Sequence, residues 1–285
     1  MAALRSARAG AELRQRQAAL FAMPAACGMV RRLLHLVLGL LVAIGIPAPA
    51  DARGEPEPVT ARLAVAANFG NVARLLASQY ERDSGYRIQL SIASTGKLYA
   101  QIRQGAPFDV LLAADRATPE RLLREDLAIA GSLHDYAIGR LVLLSASSKV
   151  GQASEALLRE HAFRKFAIAN PRTAPYGVAA REVLQHIGRL EELASHQVLG
   201  ENVAQTTQYV TSGNADAGLV PRSLALQLPS GTGTSWWPVP GDWHQPIVQS
   251  AVLLRHGQHN PAASGFLAYL HSAAARQIIA AHGYD

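Results

Sequence analysis

Apolar and polar positions alternate along the chain in blocks that predict strands and helices in turn. From Leu63 onwards, short apolar runs are each followed by a segment whose apolar residues recur at helical spacing. The first three strands are predicted in RLAVAA, YRIQLSIA and FDVLLAA, and the helices between and after them in NVARLLASQYERDSG, GKLYAQIRQG and TPERLLRED. Strands that alternate with helices in this way favour a parallel sheet with right-handed crossovers.

The same pattern restarts at Arg140. Strands are predicted in RLVLLSA, KFAIANP, NADAGLVP and IVQSAVLL, and helices in ASEALLREHAF, GVAAREVLQHIG and Thr206–Ser212. The segment LPSGTGTSWWPVPGDWHQP breaks the periodicity and is predicted to be rich in loops, and two last helices begin at Pro261 and near Ser272. The pattern predicts two α/β lobes in one chain, without deciding which lobe takes the last two helices.

The first fifty residues differ from the rest. Arginines precede an apolar span, Leu33–Ile46, which ends in the small residues around Ala50. This order is typical of a secretory signal peptide, and the span is shorter than the roughly 20 residues of a membrane helix. We therefore predict a cleaved signal over residues 1–52, with either Met1 or Met29 as the true start. The competing interpretation is an uncleaved N-terminal anchor.

Removing this leader changes what the charge implies. The whole chain carries a formal net charge of +6, but residues 1–52 hold six arginines and two acids, so the rest has 21 basic and 19 acidic residues. A near-balanced mature chain gives no support for a nucleic-acid partner, which would need clustered basic residues. The single cysteine, Cys27, also lies in the leader, so disulfides and thiol chemistry are excluded from the mature chain.

Small polar residues follow several predicted strands. Asn68 follows the first strand, Ser94 and Thr95 follow the second, and the segments NPRTAPYG and GENV occupy similar junctions later in the chain. Ligands of open α/β sheets bind at such junctions, where helix N-termini leave amide groups free to hold an anion. The alternative is that these side chains only cap helices. The sequence supports both interpretations, and they are compatible.

Catalytic motifs are missing from the sequence. It contains no G-x-S-x-G, H-E-x-x-H, P-loop or G-x-G-x-x-G pattern, and its ten histidines have no metal-ligand spacing. Asp109 and Asp115 flank one predicted strand, at opposite ends, and so cannot form a catalytic pair. We therefore expect a protein that is not an enzyme.

The motifs at these junctions carry a family likeness that covers roughly Leu63 to Tyr284. They are AVAANF, SIASTGKLYAQIRQGAPFDVLLAAD, IANPRTAPYGVAAREVL, GENVAQTTQYVTSGNADAGLV and FLAYLHSAAARQIIAAHGY. In this order they resemble the periplasmic molybdate-binding proteins of ABC importers. The resemblance implies a type II periplasmic-binding-protein fold, α/β and two-lobed, each lobe a mainly parallel sheet flanked by helices, with the ligand in the interlobe cleft. It implies a first lobe of residues 53–139 plus 236–285 and a second lobe of 140–235.

The same resemblance implies the binding residues. The donors to the oxyanion fall on Asn68, Ser94, Thr95, Tyr176 and Val203, the last through its backbone. Some members of the family use a tyrosine where this chain has Pro221, so either the remaining positions suffice or Tyr176 supplies that hydroxyl. Molybdenum would be held as its oxyanion by these residues, with no direct protein ligand to the metal. An ion without a proton accepts hydrogen bonds only, and none of the expected contact residues is acidic.

The expected function is therefore capture of molybdate or tungstate in the periplasm and delivery to an ABC permease of the inner membrane. We expect a monomer without a cofactor. One alternative is a binding protein for another oxyanion, such as sulfate, or for a small organic acid on the same scaffold. A secreted hydrolase or a sensor domain is the alternative from another class, and the missing nucleophile–base set argues against the hydrolase.

Overall fold

Ten strands form two five-stranded sheets in the computed structural model, which describes residues 58–285. The first sheet has the order β2-β1-β3-β10-β4. Its strands are β1 (Thr60–Ala66), β2 (Arg87–Ala93), β3 (Val110–Ala113), β4 (His134–Gly139) and β10 (Ile247–Leu253). β1 pairs in parallel with β2 and β3, whereas β10 runs antiparallel to both β3 and β4. Four of the five strands therefore share one direction.

The second sheet repeats this arrangement in the order β7-β6-β8-β5-β9. Its strands are β5 (Leu141–Ala146), β6 (Phe166–Ala169), β7 (Gln197–Gly200), β8 (Ala217–Pro221) and β9 (Thr234–Pro238). β6 pairs in parallel with β7 and β8, and β5 is the one antiparallel strand, between β8 and β9. In each sheet the reversed strand is the one that arrives from the other lobe, which explains its direction.

Helices cover the sheets and begin at the carboxyl ends of strands. They are α1 (Gly70–Ser84), α2 (Thr95–Arg103), α3 (Ala117–Arg124), α4 (Ser147–Val150), α5 (Glu155–Glu160), α6 (Pro175–His186), α7 (Leu190–Ala194), α8 (Val203–Thr211), α9 (Arg222–Ala225), α10 (Pro261–Tyr269) and α11 (Ala273–Ala281). A 3₁₀ turn, Ala67–Phe69, joins β1 to α1. α1 ends at Gly85, whose φ of 75° is the left-handed conformation that glycine adopts without strain.

The last two helices belong to the first lobe. Phe266 of α10 and Ile279 of α11 are buried in the same apolar cluster as Val65 of β1 and Leu76 of α1. Burying such side chains stabilises a fold by roughly 1.5–3 kcal/mol each. This cluster therefore assigns the last two helices to the first lobe, which helical periodicity alone did not decide.

The lobe boundary expected at residue 236 stays a prediction. Trp236 and Trp237, at the start of the segment 236–285, pair with β5 of the second sheet, and β9 ends at Pro238. The predicted signal peptide lies outside the described residues. Within 58–285, no helix is long and apolar enough to cross a membrane.

Candidate anion-binding site

A small cavity lies between the lobes, and residues of both lobes line it. Its lining residues are Ala66, Ala67, Asn68, Ser94, Thr95 and Ala114 from the first lobe and Ala174, Pro175, Tyr176, Asn202 and Val203 from the second. The cavity is about large enough to hold one water molecule. All of the residues that the sequence nominated as donors thus line one small cavity.

Each of these residues stands at the start of a helix or turn. Thr95 is the first residue of α2, Tyr176 the second of α6 and Val203 the first of α8, while Asn68 lies in the 3₁₀ turn before α1. The first N–H groups of a helix have no acceptor within it, and that end carries partial positive charge. Helix starts from both lobes therefore place amide donors and positive potential around the cavity.

Two side-chain hydroxyls in the lining, those of Ser94 and Tyr176, are buried without a partner. Neither Ser94 Oγ nor Tyr176 Oη makes a hydrogen bond within the described part of the chain. Ser94 occupies the N-cap position of α2, yet its side chain makes no capping hydrogen bond. Helix capping, the alternative drawn from the sequence, therefore does not account for this hydroxyl. Leaving a buried polar group unpaired costs about 1–3 kcal/mol, so both hydroxyls are suited to a ligand that accepts hydrogen bonds.

The hydroxyl of Thr95 is oriented by a backbone amide. Thr95 Oγ1 accepts a hydrogen bond from the N–H of Ala114, at 3.1 Å. A hydroxyl that accepts one bond still has its own proton to donate. Thr95 is 2% exposed, so this proton can reach only buried acceptors.

Asn68 departs from the expected arrangement. Its Nδ2 donates to Gln249 Oε1 at 2.7 Å and to the hydroxyl of Tyr284 at 3.0 Å, so both amide protons are already used. Gln249 is itself oriented by the carbonyl of Ile247, which accepts from its Nε2 at 3.0 Å. The side chain of Asn68 therefore anchors the turn, and the donor that it leaves for a ligand is its backbone N–H.

The start of α8 leaves its first amide free in the same way. The side chain of Asn202 accepts hydrogen bonds from the N–H groups of Ala204 and Gln205, at 2.9 and 3.1 Å. Val203, which lies between Asn202 and Ala204, is not bonded by this cap, and it lines the cavity while 4% exposed. That Val203 binds through its backbone stays a prediction.

The cavity is uncharged, since none of its described lining residues is ionisable except Tyr176. Burial raises the pKa of the Tyr176 hydroxyl well above its ordinary value, the nearby hydroxyls of Tyr284 and Tyr136 add to this, and the nearby side chain of Asn68 opposes it. Tyr176 therefore stays a neutral donor at physiological pH. Neutral donors avoid the desolvation cost of a buried counter-ion.

Charged residues lie at the rim, where they tie the lobes together. Lys97 Nζ lies 2.6 Å from Glu201 Oε2 across the cleft, and both side chains are about half exposed or more. Asp115 does not reach the cavity, because its carboxylate accepts hydrogen bonds from the N–H and hydroxyl of Thr118, at 2.6 and 3.1 Å, and so caps α3. Lys97 and Asp115 are thus engaged with other protein groups and do not belong to the cavity lining.

The structure adds residues that sequence reasoning did not assign. Gln249 and Tyr284 hold the side chain of Asn68, and Ser223 donates to its carbonyl at 3.1 Å. Pro221, where the resemblance implied a tyrosine in some members, is the N-cap residue of α9 and does not line the cavity. The sequence around Ser223 and Tyr284 carries no local signal for these contacts, because each contact joins residues that lie far apart along the chain.

The arrangement can hold an acceptor-only ion but offers no set for catalysis. The groups around the cavity are hydroxyls and backbone amides, without a base beside a nucleophile. Within residues 58–285, no three His, Cys, Asp or Glu side chains are grouped to hold a metal ion. The chemistry that remains is recognition by hydrogen bonds.

Sequence comparison places this fold and cavity among known transport proteins. The profile of the family described as bacterial extracellular solute-binding protein matches residues 61–285. The molybdate-binding protein ModA of Azotobacter vinelandii is 44% identical over 86% of this chain and 96% of its own length. The ModA protein of Rhodobacter capsulatus is 38% identical over 87% of this chain and 93% of its own length.

Comparison with solved structures supports the same relationship. The periplasmic molybdate-binding protein of Azotobacter vinelandii superposes with a TM-score of 0.73 and 35% sequence identity, covering 79% of this chain and 98% of that one. The sulfate-binding protein SubI of Mycobacterium tuberculosis superposes with a TM-score of 0.65 at 12% identity over 79% of this chain and 86% of its own, which shows a shared fold. The chain therefore belongs to the bacterial extracellular solute-binding proteins, within the ModA family of two-lobed α/β binding proteins.

Proposed function

We propose that this protein captures molybdate, or its close analogue tungstate, between its lobes and delivers it to an ABC permease. The observation that carries the proposal is a pair of buried, unpartnered hydroxyls that belong to Ser94 of the first lobe and Tyr176 of the second, two residues that line one uncharged cavity. The proposed donors are these two, the hydroxyl of Thr95, and the backbone N–H groups of Asn68 and Val203.

A site made only of donors selects for an anion without a proton. Molybdate, tungstate and sulfate are fully ionised near neutral pH and accept hydrogen bonds at every oxygen. Hydrogen phosphate must also donate one, and it would need an acceptor such as a carboxylate. The described cavity lining holds no carboxylate, which disfavours phosphate. Among fully ionised anions, the identities of 44% and 38% to ModA proteins support molybdate.

The remaining parts of the function rest on the family. The proposed setting is the periplasm, reached through cleavage of the leader 1–52, and the proposed partner is the permease of a molybdate importer. The protein acts as a monomer, without cofactor or catalysis, and binds no nucleic acid. The likeness to a protein named as periplasmic and molybdate-binding supports this setting.

Calorimetry on the purified protein tests the ligand. Molybdate and tungstate should each give saturable binding at one site per chain, whereas sulfate and phosphate should bind far more weakly. At about 100 times its Kd a ligand stabilises the folded state by about 2.7 kcal/mol, which should appear as a higher Tm.

Tight sulfate binding with no heat and no thermal shift from molybdate would assign the site to another oxyanion. Steady turnover of simple ester or phosphate substrates would instead support a secreted hydrolase. Running these anions and substrates on one preparation separates the candidates.

A further inference from the structure

One carbonyl beside the cavity receives hydrogen bonds from both lobes. The backbone oxygen of Asn68 accepts from the hydroxyl of Tyr284 at 2.7 Å and from Ser223 Oγ at 3.1 Å. Tyr284 also accepts from Asn68 Nδ2 at 3.0 Å, so these two residues are bonded in both directions. Together with Gln249, these contacts hold Asn68 by its backbone and its side chain.

The two hydroxyls that meet at this carbonyl come from different lobes. Tyr284 is 3% exposed and packs in the first-lobe cluster, with its ring edge-on to Phe69 at 5.4 Å. Ser223 is 1% exposed and lies in α9, which directly follows β8 of the second sheet. The bond from Ser223 therefore exists only when the lobes are together, whereas the bond from Tyr284 is internal to the first lobe.

Neither residue lines the cavity, yet both act on a segment that does. The 3₁₀ turn Ala67–Phe69 contributes two of its residues, Ala67 and Asn68, to the lining. The bonds to the Asn68 carbonyl orient the planar peptide group between Asn68 and Phe69, and the bonds from Nδ2 hold the side chain, so together they fix the residue whose N–H is the proposed donor. The hydroxyl of Tyr284 stays protonated and able to donate, since burial raises its pKa above the ordinary value.

We propose that Tyr284 and Ser223 are positioning residues for the anion site: Tyr284 sets the turn that carries Asn68, and Ser223 locks that turn when the lobes close. This inference rests on the proposed function. It assigns roles to two residues outside the ligand shell, and it makes anion release depend on breaking the bond between Ser223 and Asn68.

The test compares Tyr284→Phe and Ser223→Ala with matched controls in the full chain. Tyr269→Phe removes a buried tyrosine hydroxyl that lies away from the cavity, in the first lobe. Ser145→Ala removes a buried serine hydroxyl that donates to the carbonyl of Gly151 at 2.8 Å, within the second lobe. Molybdate affinity is measured by calorimetry, rate constants by stopped-flow fluorescence, and ligand-free stability by thermal melting.

Loss of the bond in Ser223→Ala, or of both bonds to Asn68 in Tyr284→Phe, should weaken molybdate binding about fivefold or more, while both controls bind like the parent protein. In Ser223→Ala the loss should appear as faster dissociation with an unchanged association rate, because its bond forms after the anion has entered. A merely structural role would lower the ligand-free Tm without this split between the two rates.

Molybdate affinities in both variants equal to those of the controls would overturn the inference. Slower association without faster dissociation in Ser223→Ala would overturn the locking role of Ser223. If the parent protein itself fails to bind molybdate, the proposed function fails; if the parent binds and the variants match the controls, only this inference fails.

Discussion

At the scale of single residues, the buried hydroxyls of Ser94 and Tyr176 give the clearest indication of function. A buried hydroxyl without a partner destabilises a fold by about 1–3 kcal/mol, and a protein selected for stability alone would not place two of them around one cavity. Their arrangement favours ligand recognition over structural support.

Tyr176→Phe should separate these two effects. It removes a hydroxyl that has no partner among the described residues, so ligand-free thermal stability should stay constant or rise. Molybdate affinity should fall tenfold or more, because a hydrogen bond to a charged acceptor contributes about 1.5–3 kcal/mol. Thermal melting and calorimetry measure the two quantities on the same samples.

The matched control is Tyr269→Phe, which removes another buried and unpartnered hydroxyl that does not border the cavity. It should leave molybdate binding unchanged. Equal affinities for the parent protein and Tyr176→Phe would show that the Tyr176 hydroxyl does not contact the anion.

The sequence could nominate residues at strand ends but not the residues that hold them. Asn68, Thr95 and Tyr176 each stand beside a recognisable strand end or helix start, so local pattern and family likeness were enough to select them. The partners of Asn68 lie 181 and 216 residues away along the chain, at Gln249 and Tyr284. No local rule connects such positions, because the contact exists only after both sheets have formed.

At the scale of elements, the inner strands and one edge strand, β2, were predictable, whereas the other three edge strands were not. β1 and β3 read as continuous apolar runs because they are buried in the sheet interior. β4, β7 and β9 are edge strands with several exposed or half-exposed residues, and none was predicted as a strand. A half-exposed strand that contains Gly, His or Pro shows only a weak alternation of apolar and polar residues. Such a segment cannot be distinguished from a loop by its sequence pattern.

The start of α2, in the first lobe, lies in close contact with the backbone of the second lobe. The N–H of Gly96 donates to the carbonyl of Thr173, in the second lobe, at 2.9 Å. A Cβ at position 96 would lie 2.9 Å from the Cα of Thr173 and 3.0 Å from its carbonyl oxygen. Glycine is therefore required here by the approach of the other lobe.

Gly96→Ala should strengthen the helix and weaken the binding of the anion. Alanine is favoured over glycine in a helix by up to about 1 kcal/mol, so the ligand-free Tm should not fall. The added methyl group would hold the lobes apart by its contact with the backbone of Thr173, and molybdate affinity should drop at least tenfold. Calorimetry and thermal melting check both parts.

Gln101→Ala, an exposed position on the same helix, is the control and should bind molybdate like the parent protein. If Gly96→Ala also keeps the parent's affinity, then binding does not need the close approach of α2 to Thr173.

At the scale of the whole molecule, two chain crossings join the lobes, and both are held by contacts with the folded lobes. The first crossing is the short link through Arg140, between β4 and β5. In the second crossing, Trp243 stacks on His186 at 5.1 Å, and the N–H of Gln245 donates to Glu182 at 2.8 Å. The second crossing is thus fastened to the second lobe, and Arg140 is bonded to both lobes, through its side chain to Asp285 and through its carbonyl to the N–H of Arg222 at 2.8 Å.

Because proposed donors come from both lobes, anion binding should draw the lobes together about these crossings. Spin labels on cysteines at Gln104 of the first lobe and Glu191 of the second, in a Cys27→Ser background, can measure the distance between them by pulsed electron resonance. Molybdate should shorten and narrow the distance distribution of this pair, because ligand contacts from Tyr176 and its lobe stabilise the closed state. A second pair of labels, at Gln104 and Gln277, lies entirely on the first lobe at exposed positions and controls for motion of the labels. Molybdate should leave the distance between these two labels unchanged. A distribution for the interlobe pair that molybdate leaves unchanged, at concentrations that saturate calorimetric binding, would mean that the protein binds its anion in a preformed cleft without hinge closure.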